Sequence, residues 1–452
     1  MAATASRLNV ENIQGALLRG YRLPVARYLF VHVSAPERAR TFIGQLAEQV
    51  SSAAPWSQKP EWALNAYLTF AGLSALGLPE SALESFPADF RDGMAARAHM
   101  LGDGDESAPE RWEAGLGGPR VHLMLMLSSA DERIGEERRR SLLGLIERTG
   151  GLELLSEQRG SALAGTREHF GYADGFSQPP VEGFAEDRPR AGGGAPQKDG
   201  GWRAIRAGEF VLGYPDEEGV LPPAPEPEAL GRDGSYLVFR KLAQDVAGFR
   251  AMLARAGATY PGGEELLAAK LVGRFRDGTP LDRAPDRPDP DLVADPDRHN
   301  DFRYDSDPQG LRCPVGAHVR RANPRESMPF RGKLVNRHRM LRRGITYGPP
   351  LPEGSPEDGR DRGVLFMCFQ ASIKRQFEFV QAQWFNDGNA FRLGDDKDVL
   401  LGDHDGTGKA LIPGRPPSFV HPLPRLVTVR GGEYLFCPSI AALRYLSALG
   451  GA

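Results

Sequence analysis

The chain has 452 residues, with 56 Lys+Arg against 59 Asp+Glu, a formal net charge of −3 at neutral pH. That balance argues against nucleic-acid binding through bulk positive charge, and the length exceeds an ordinary single domain, so two domains or a duplicated fold are expected. The cysteines Cys313, Cys368 and Cys437 are too few and too scattered for a disulfide scaffold or a thiolate zinc site. No uninterrupted run of about 18 apolar residues occurs, which excludes a membrane-spanning helix. Met1 to Glu11 carries no apolar export segment and no twin-Arg pair, which predicts a soluble, cytoplasmic protein.

In chain order, the first clear element is Tyr28–Val33 (YLFVHV), a short β-branched and aromatic run that predicts a strand. It leads into PERARTFIGQLAEQV, where Ala39, Phe42, Ile43, Leu46 and Val50 recur at helical spacing. Val121–Leu127 (VHLMLML) precedes a helix ending LLGLIERTG, a second unit of the same kind. The pattern returns 208 positions after the first unit: Tyr236–Phe239 (YLVF) runs into QDVAGFRAMLARAG, with Val246, Phe249, Met252 and Leu253 on one face. Val364–Phe369 (VLFMCF) before KRQFEFVQAQWF is the fourth unit. Four strand–helix units in two halves predict an α+β chain of two domains, each an antiparallel sheet with helices on one face. A doubly wound parallel sheet is the alternative, disfavoured by uneven spacing and by the lack of a Gly-rich βα turn.

Pro/Gly/Asp-rich segments separate these units. Glu186–Ala229 reads as a linker with a short hairpin around Gly208–Gly213, and Gly348–Gly363 as another loop. Asp277–Asp307 holds ten aspartates among prolines, in an order unlike a calcium loop, and reads as a solvated loop. Loops this long commonly wall an active site.

Nine histidines are present, at positions 32, 99, 122, 169, 299, 318, 338, 404 and 421. None lies in an HExxH or a zinc-spaced Cys/His set, and there is no GxSxG elbow or Walker loop. Three segments stand out. In Arg312–Arg325 (RCPVGAHVRRANPR), His318 sits between small residues and three arginines, so a planar group can approach the imidazole while the cations pair with carboxylates such as haem propionates. Alone, such a histidine is more often a hydrogen-bonded core residue and such a basic run a solvated face. In Gly171–Pro179 (GYADGFSQP), two glycines force a turn around Asp174, with Phe170, Phe176 and Pro179 as an apolar wall suited to acid–base work. The same GxxDG spacing at Gly402–Gly406 (GDHDG) lies among polar residues and reads as an ordinary turn. In MLRRGITYG, a strand end or turn would direct Arg342 inward.

Together these three segments resemble the dye-decolourising peroxidases, and ENIQGALLRGY, RYLFVHV, RQFEFVQAQW and GGEYLFCPSIAALR extend the resemblance over essentially the whole chain. Length and bulky loops are most similar to the longer, fungal and cyanobacterial branch. The resemblance implies two ferredoxin-like domains around haem b, held mainly by the C-terminal half: residues 1–190 with GxxDG, a linker over 191–230, and residues 231–452 with the haem-ligand histidine. His318 is then the axial iron ligand and the one metal-binding residue, Asp174 the acid/base, and Arg342 its partner. Asp398 in DVLLG, at the position of the family's DPxxG, accepts the other N–H of the ligand histidine. His169 and Arg320 are implied propionate contacts, and Leu365 and Phe366 implied lining of the peroxide side. Gly344 departs from the Asn of compact members, and Thr346 from a usual proline.

The implied activity is reduction of hydrogen peroxide with oxidation of small organic one-electron donors such as dyes and phenolics. No nucleic-acid or membrane partner is implied, and a homo-oligomer is compatible with it. Trp384 and Tyr347 are candidates for an electron relay, although core packing explains both more simply. A haem carrier or sensor with little turnover is the competing reading, but it needs neither Asp174 nor Arg342. A structural or metal-binding protein using the Asp-rich loop is the third.

Overall fold

In the computed structural model, residues 7–184 and 191–450 are described; the first six residues and the first part of the Glu186–Ala229 linker lie outside them. The N-terminal half supplies β1 (Val25–Val33), β2 (Trp62–Leu68), β3 (Leu123–Ser129) and β4 (Leu152–Ser161). They pair antiparallel in the order β4-β1-β3-β2. β1 is buried on both faces, so its apolar run is nearly continuous, whereas β4 is a half-buried edge carrying Glu153, Glu157 and Arg159. Helices Pro36–Ala47 and Glu132–Thr149 cover one face; the first starts with Pro at its first turn, the second with Asp131 accepting from the Ile134 N–H.

Two short strands follow, β5 (Ala195–Pro196) and β6 (Trp202–Arg203), and form the linker's hairpin. The hairpin expected around Gly208–Gly213 is corrected by this: that stretch is a single 3-10 turn at Ala207–Glu209. The tight turn belongs to Asp199-Gly200-Gly201, where Gly200 takes φ +91° and Gln197 N–H reaches Gly201 O.

The second half supplies β7 (Ser235–Gln244), β8 (Leu341–Arg342), β9 (Ile345–Tyr347), β10 (Gly363–Gln370), the hairpin of β11 (Gly408–Ile412) and β12 (Ser418–Leu423), and β13 (Val427–Cys437). Its order, β13-β7-β10-β8, with β9 also on β10, repeats that of the first half: the fourth strand, then the first, third and second. Each half is therefore a βαββαβ unit of ferredoxin-like form, and one register pair, Phe436–Leu68 between β13 and β2, joins them into a nine-stranded sheet.

The sheet folds over so that the two halves also pack face to face. Tyr28, Phe30, Met124 and Met126 meet Leu237, Phe239, Leu365, Met367 and Phe369, with Tyr28 and Phe30 at 5.4 and 5.2 Å from the Phe239 ring. Strand alternation then turns Arg240, Leu242 and Gln244 of β7, and Val364 and Phe366 of β10, to the opposite face. That face is the ceiling of the molecule's large cavity.

Candidate active site

The cavity encloses about 340 Å³. Its ceiling is the sheet face just described, completed by Val427 and Val429 of β13 and Arg342 of β8. Its floor is made by the short helix His318–Ala322, Leu400 and Leu401, and the segment Lys374–Phe385, wound as two π-helical turns. These turns bring Phe377, Val380, Gln381 and Phe385 to the cavity.

His318 lines the floor with its ring stacked on Phe385, centroids 5.4 Å apart. Its Nδ1 lies 3.0 Å from both oxygens of Asp398, a carboxylate buried completely. Burial opposes charge on both groups, yet each overcomes it through the other: the His318 imidazole is pushed up by Asp398, and the Asp398 carboxyl is pulled down by His318, Arg321 and the Leu401 N–H. Asp398 is fixed in turn by the Leu400 and Leu401 N–H groups at 3.0 and 2.8 Å, and its own carbonyl lies 2.8 Å from His404 Nε2. With Nδ1 engaged, Nε2 is the nitrogen left for a ligand, and the side chain keeps 22 % of its surface exposed.

Asp174 and Arg342 also line the cavity. Gly171 and Gly175 take φ +99° and +89°, so the turn around Asp174 needs glycine at both ends for its backbone form. Asp174 remains exposed, with Oδ1 accepting from the Gly175 N–H. The FSQP that follows ties this loop to β8: Gln178 brackets the Arg342 main chain, accepting from its N–H and donating to its carbonyl, both at 3.1 Å, and Arg342 Nη2 donates to Ser177 O at 3.3 Å. His318 responds to both groups, Arg342 disfavouring its charge and Asp174 favouring it.

Three further arginines, Arg274, Arg325 and Arg339, line the cavity with under a tenth of their surface exposed. Among the described residues none has a carboxylate partner. Arg274 donates to Gly278 O, His299 O and Asn300 Oδ1, Arg325 to Asn300 and Phe302 O, and Arg339 to Gly193 O. Burial and mutual repulsion pull Arg274 down to about 10 and Arg339 to about 9, the latter beside Arg325 and Arg342. A buried cationic cluster of this kind is suited to an anion. An apolar slot with a histidine nitrogen on its floor and this cluster along it fits haem, an iron-bearing planar dianion.

Three sequence expectations place differently. Leu365 faces the core between the two halves while Phe366 lines the cavity, because neighbouring strand residues point to opposite faces. Arg320 is fully buried away from the cavity, donating to Cys313 O and Asp307 O and lying over the Tyr304 ring. His169 is also off the cavity, with Nε2 2.8 Å from Tyr347 O. Trp384 and Tyr347 are buried; Trp384 meets His338, itself a lining residue, edge-on at 5.2 Å. The GDHDG segment, read as an ordinary turn, supplies Gly402 and Asp403 to the lining and His404 to Asp398. In the Asp-rich loop, Asp289 caps Pro290–Ala294 and Asp307 holds the Leu311 N–H, while Asn300 reaches the cavity. Among the described residues no group of three or more His, Cys, Asp or Glu is placed to hold a metal ion, and no helix is long and apolar enough to cross a membrane.

Residues 220–395 match the family model for the C-terminal part of Dyp-type peroxidases. The chain is 33% identical to the multifunctional dye peroxidase DyP2 of Amycolatopsis sp. over 97% of its length and 96% of that protein's, and 29% identical to dye-decolorizing peroxidase msp1 of Mycetinis scorodonius, covering 98% and 88%. The crystal structure of a fungal DyP-type peroxidase from Auricularia auricula-judae superposes with a TM-score of 0.83 at 26% identity, over 98% of this chain and all of that one. A dye-decolorizing peroxidase solved in complex with 2,6-dimethoxyphenol gives 0.82 at 29% identity, with 98% and 100% covered. With sequence kinship running end to end and the fold shared, the chain belongs to the dye-decolourising peroxidases and is a haem-dependent peroxidase.

Proposed function

We propose that the cavity between the C-terminal sheet face and the His318 helix binds haem b, with His318 Nε2 as the iron ligand, and reduces hydrogen peroxide at the expense of dyes and phenolics. The observation that carries this reading is that one cavity gathers His318 with its buried Asp398, Asp174 and Arg342. Bound haem supplies the two electrons that split the O–O bond and recovers them singly from the organic donor. Asp174 accepts a proton from one peroxide oxygen and returns it to the other, a service worth roughly 10²–10⁴-fold for a well-placed group. Arg342 donates N–H to the departing oxygen and offsets its charge, and the Gln178 bracket keeps it aimed. Asp398 holds the His318 ring and its proton at Nδ1. Arg274, Arg325 and Arg339 take the propionates, the role expected of His169 and Arg320, and Phe366 shapes the peroxide side.

All of these groups except Asp174 and its loop lie beyond residue 231, so haem is held mainly by the C-terminal half. The division into 1–190, 191–230 and 231–452 is supported by the repeated strand order. A cytoplasmic location and a homo-oligomer belong to the same reading. The test is an absorbance spectrum of the purified protein before and after stoichiometric peroxide. A Soret band that responds to peroxide is expected in the wild type, and loss of that response with haem retained in Asp174→Asn and Arg342→Leu. Wild-type reactivity in both variants overturns the roles given to them.

A further inference from the structure

The cavity lining also includes Glu168, a carboxylate that the chemistry above does not use. Its oxygens are fully committed. Oε2 accepts from the Phe170 N–H at 2.8 Å and from Gln244 Nε2 at 2.6 Å, and Oε1 accepts from the Tyr172 N–H at 2.9 Å. The Glu168 main chain closes the same loop, with its N–H on Tyr172 O and its carbonyl accepting from Gly171. Two residues on, Asp174 N–H reaches Thr166 O, and Ala173 N–H reaches Arg276 O. Glu168 is thus the inner peg of the turn that carries Asp174, and Gln244 anchors that peg to β7 on the cavity ceiling.

We propose that Glu168 is a positioning residue for the peroxide reaction, its carboxylate clamping the Asp174 turn to Gln244 of the sheet. The proposal rests on the reading of Asp174 as the acid/base. Charge around the clamp supports the assignment. Burial pushes the Glu168 carboxyl up against its three N–H donors, and the like charge of Asp174 adds to this. The cations nearby are committed elsewhere. Arg276 donates to Phe170 O at 2.9 Å and pairs with Glu265 at 3.1 Å, and Arg167 donates to Gly171 O and Arg276 O. His169 turns to Tyr347 O. Glu168 is therefore held by neutral donors alone among these neighbours. Gln244 Oε1 is buried without a partner among the described residues, as expected if Gln244 is kept for its donor end.

The experiment compares the haem-loaded wild type with Glu168→Gln, Glu168→Ala and Gln244→Leu, following the rate with peroxide, KM for a phenol donor and the Soret band. Glu168→Ala is expected to slow the peroxide step by about tenfold or more, as a displaced acid/base does, with KM for the phenol unchanged. Glu168→Gln, which keeps an acceptor oxygen for the turn's N–H groups, recovers part of the rate that Glu168→Ala loses. Gln244→Leu, which removes the anchor to β7, slows the peroxide step with KM for the phenol unchanged. Wild-type rates in both Glu168→Ala and Gln244→Leu overturn the clamp. So does a loss of rate that merely tracks loss of the Soret band in Glu168→Ala while Gln244→Leu reacts as wild type. Wild-type peroxide reactivity of Asp174→Asn, measured alongside, instead overturns the reading on which the clamp rests.

Discussion

Asp398 and Glu433 are both buried carboxylates on whose surroundings opposite outcomes depend. Asp398 faces an imidazole and stays ionised, so Asp398→Asn keeps the shape but replaces a charged acceptor with a neutral one. Such changes next to a ligand histidine typically cost 10–100-fold, and a fall of about that size in haem affinity or peroxide rate is expected, measured by haem titration and stopped-flow absorbance. Among the described residues Glu433 on β13 accepts from the N–H groups of Tyr434, Met94 and Gly118, and burial pushes it up to about 7. Its folded state therefore binds the proton more tightly than the unfolded chain. Stability from this group is fully present below the unfolded carboxyl value of about 4.5 and is lost as pH rises toward about 7. Glu433→Gln should flatten that loss, gaining up to about 3 kcal/mol over wild type at pH 8 and little at pH 4.5, as read from urea melts at both pH values.

Among elements, the strands and helices with strong periodicity were readable: β1, β3, β7 and β10 fall on the four apolar runs, and the helices after β1, β3 and β7 follow as expected. Those that escaped are informative about why. β4 is an edge strand whose charged side chains break the apolar signal, and β8 and β9 span only Leu341–Arg342 and Ile345–Tyr347. The segment Lys374–Phe385 read as a helix but winds wider, a distinction periodicity at this length cannot make. At the site, the motif residues His318, Asp174 and Arg342 were legible because each sits in an unusual local string. Arg274, Arg339 and Gln244 were not, since what distinguishes them is a neighbour far along the chain. Leu365 and Phe366 show the same limit within two residues: apolar character identifies the strand, and only the register says which face meets the cavity. Leu365→Ala is thus expected to cost about 2–5 kcal/mol of stability with the peroxide rate kept, while Phe366→Ala alters the reaction with peroxide; denaturant melts and peroxide kinetics on both variants check the split.

At the scale of the whole molecule, the arginine cluster makes the cavity electrostatically unfinished without an anion. Removing haem should lower the melting temperature, and Arg339→Met should narrow the gap between loaded and haem-free protein, by relieving repulsion in one and weakening haem binding by at least about tenfold in the other. Calorimetry of both forms measures the gap. β13 ties this architecture together, for it lies between β2 and β7 at the middle of the sheet although it is the last of the sheet's strands in chain order. During synthesis the ribosome must therefore deliver residue 437 before the two halves can share one sheet, and until then β2 and β7 each present an unpaired apolar edge. A nascent chain stalled after His318 has emerged holds the proposed iron ligand but no closed ceiling above it. The cavity is thus completed only when β13, which brings Val427 and Val429 to its ceiling, has joined the sheet.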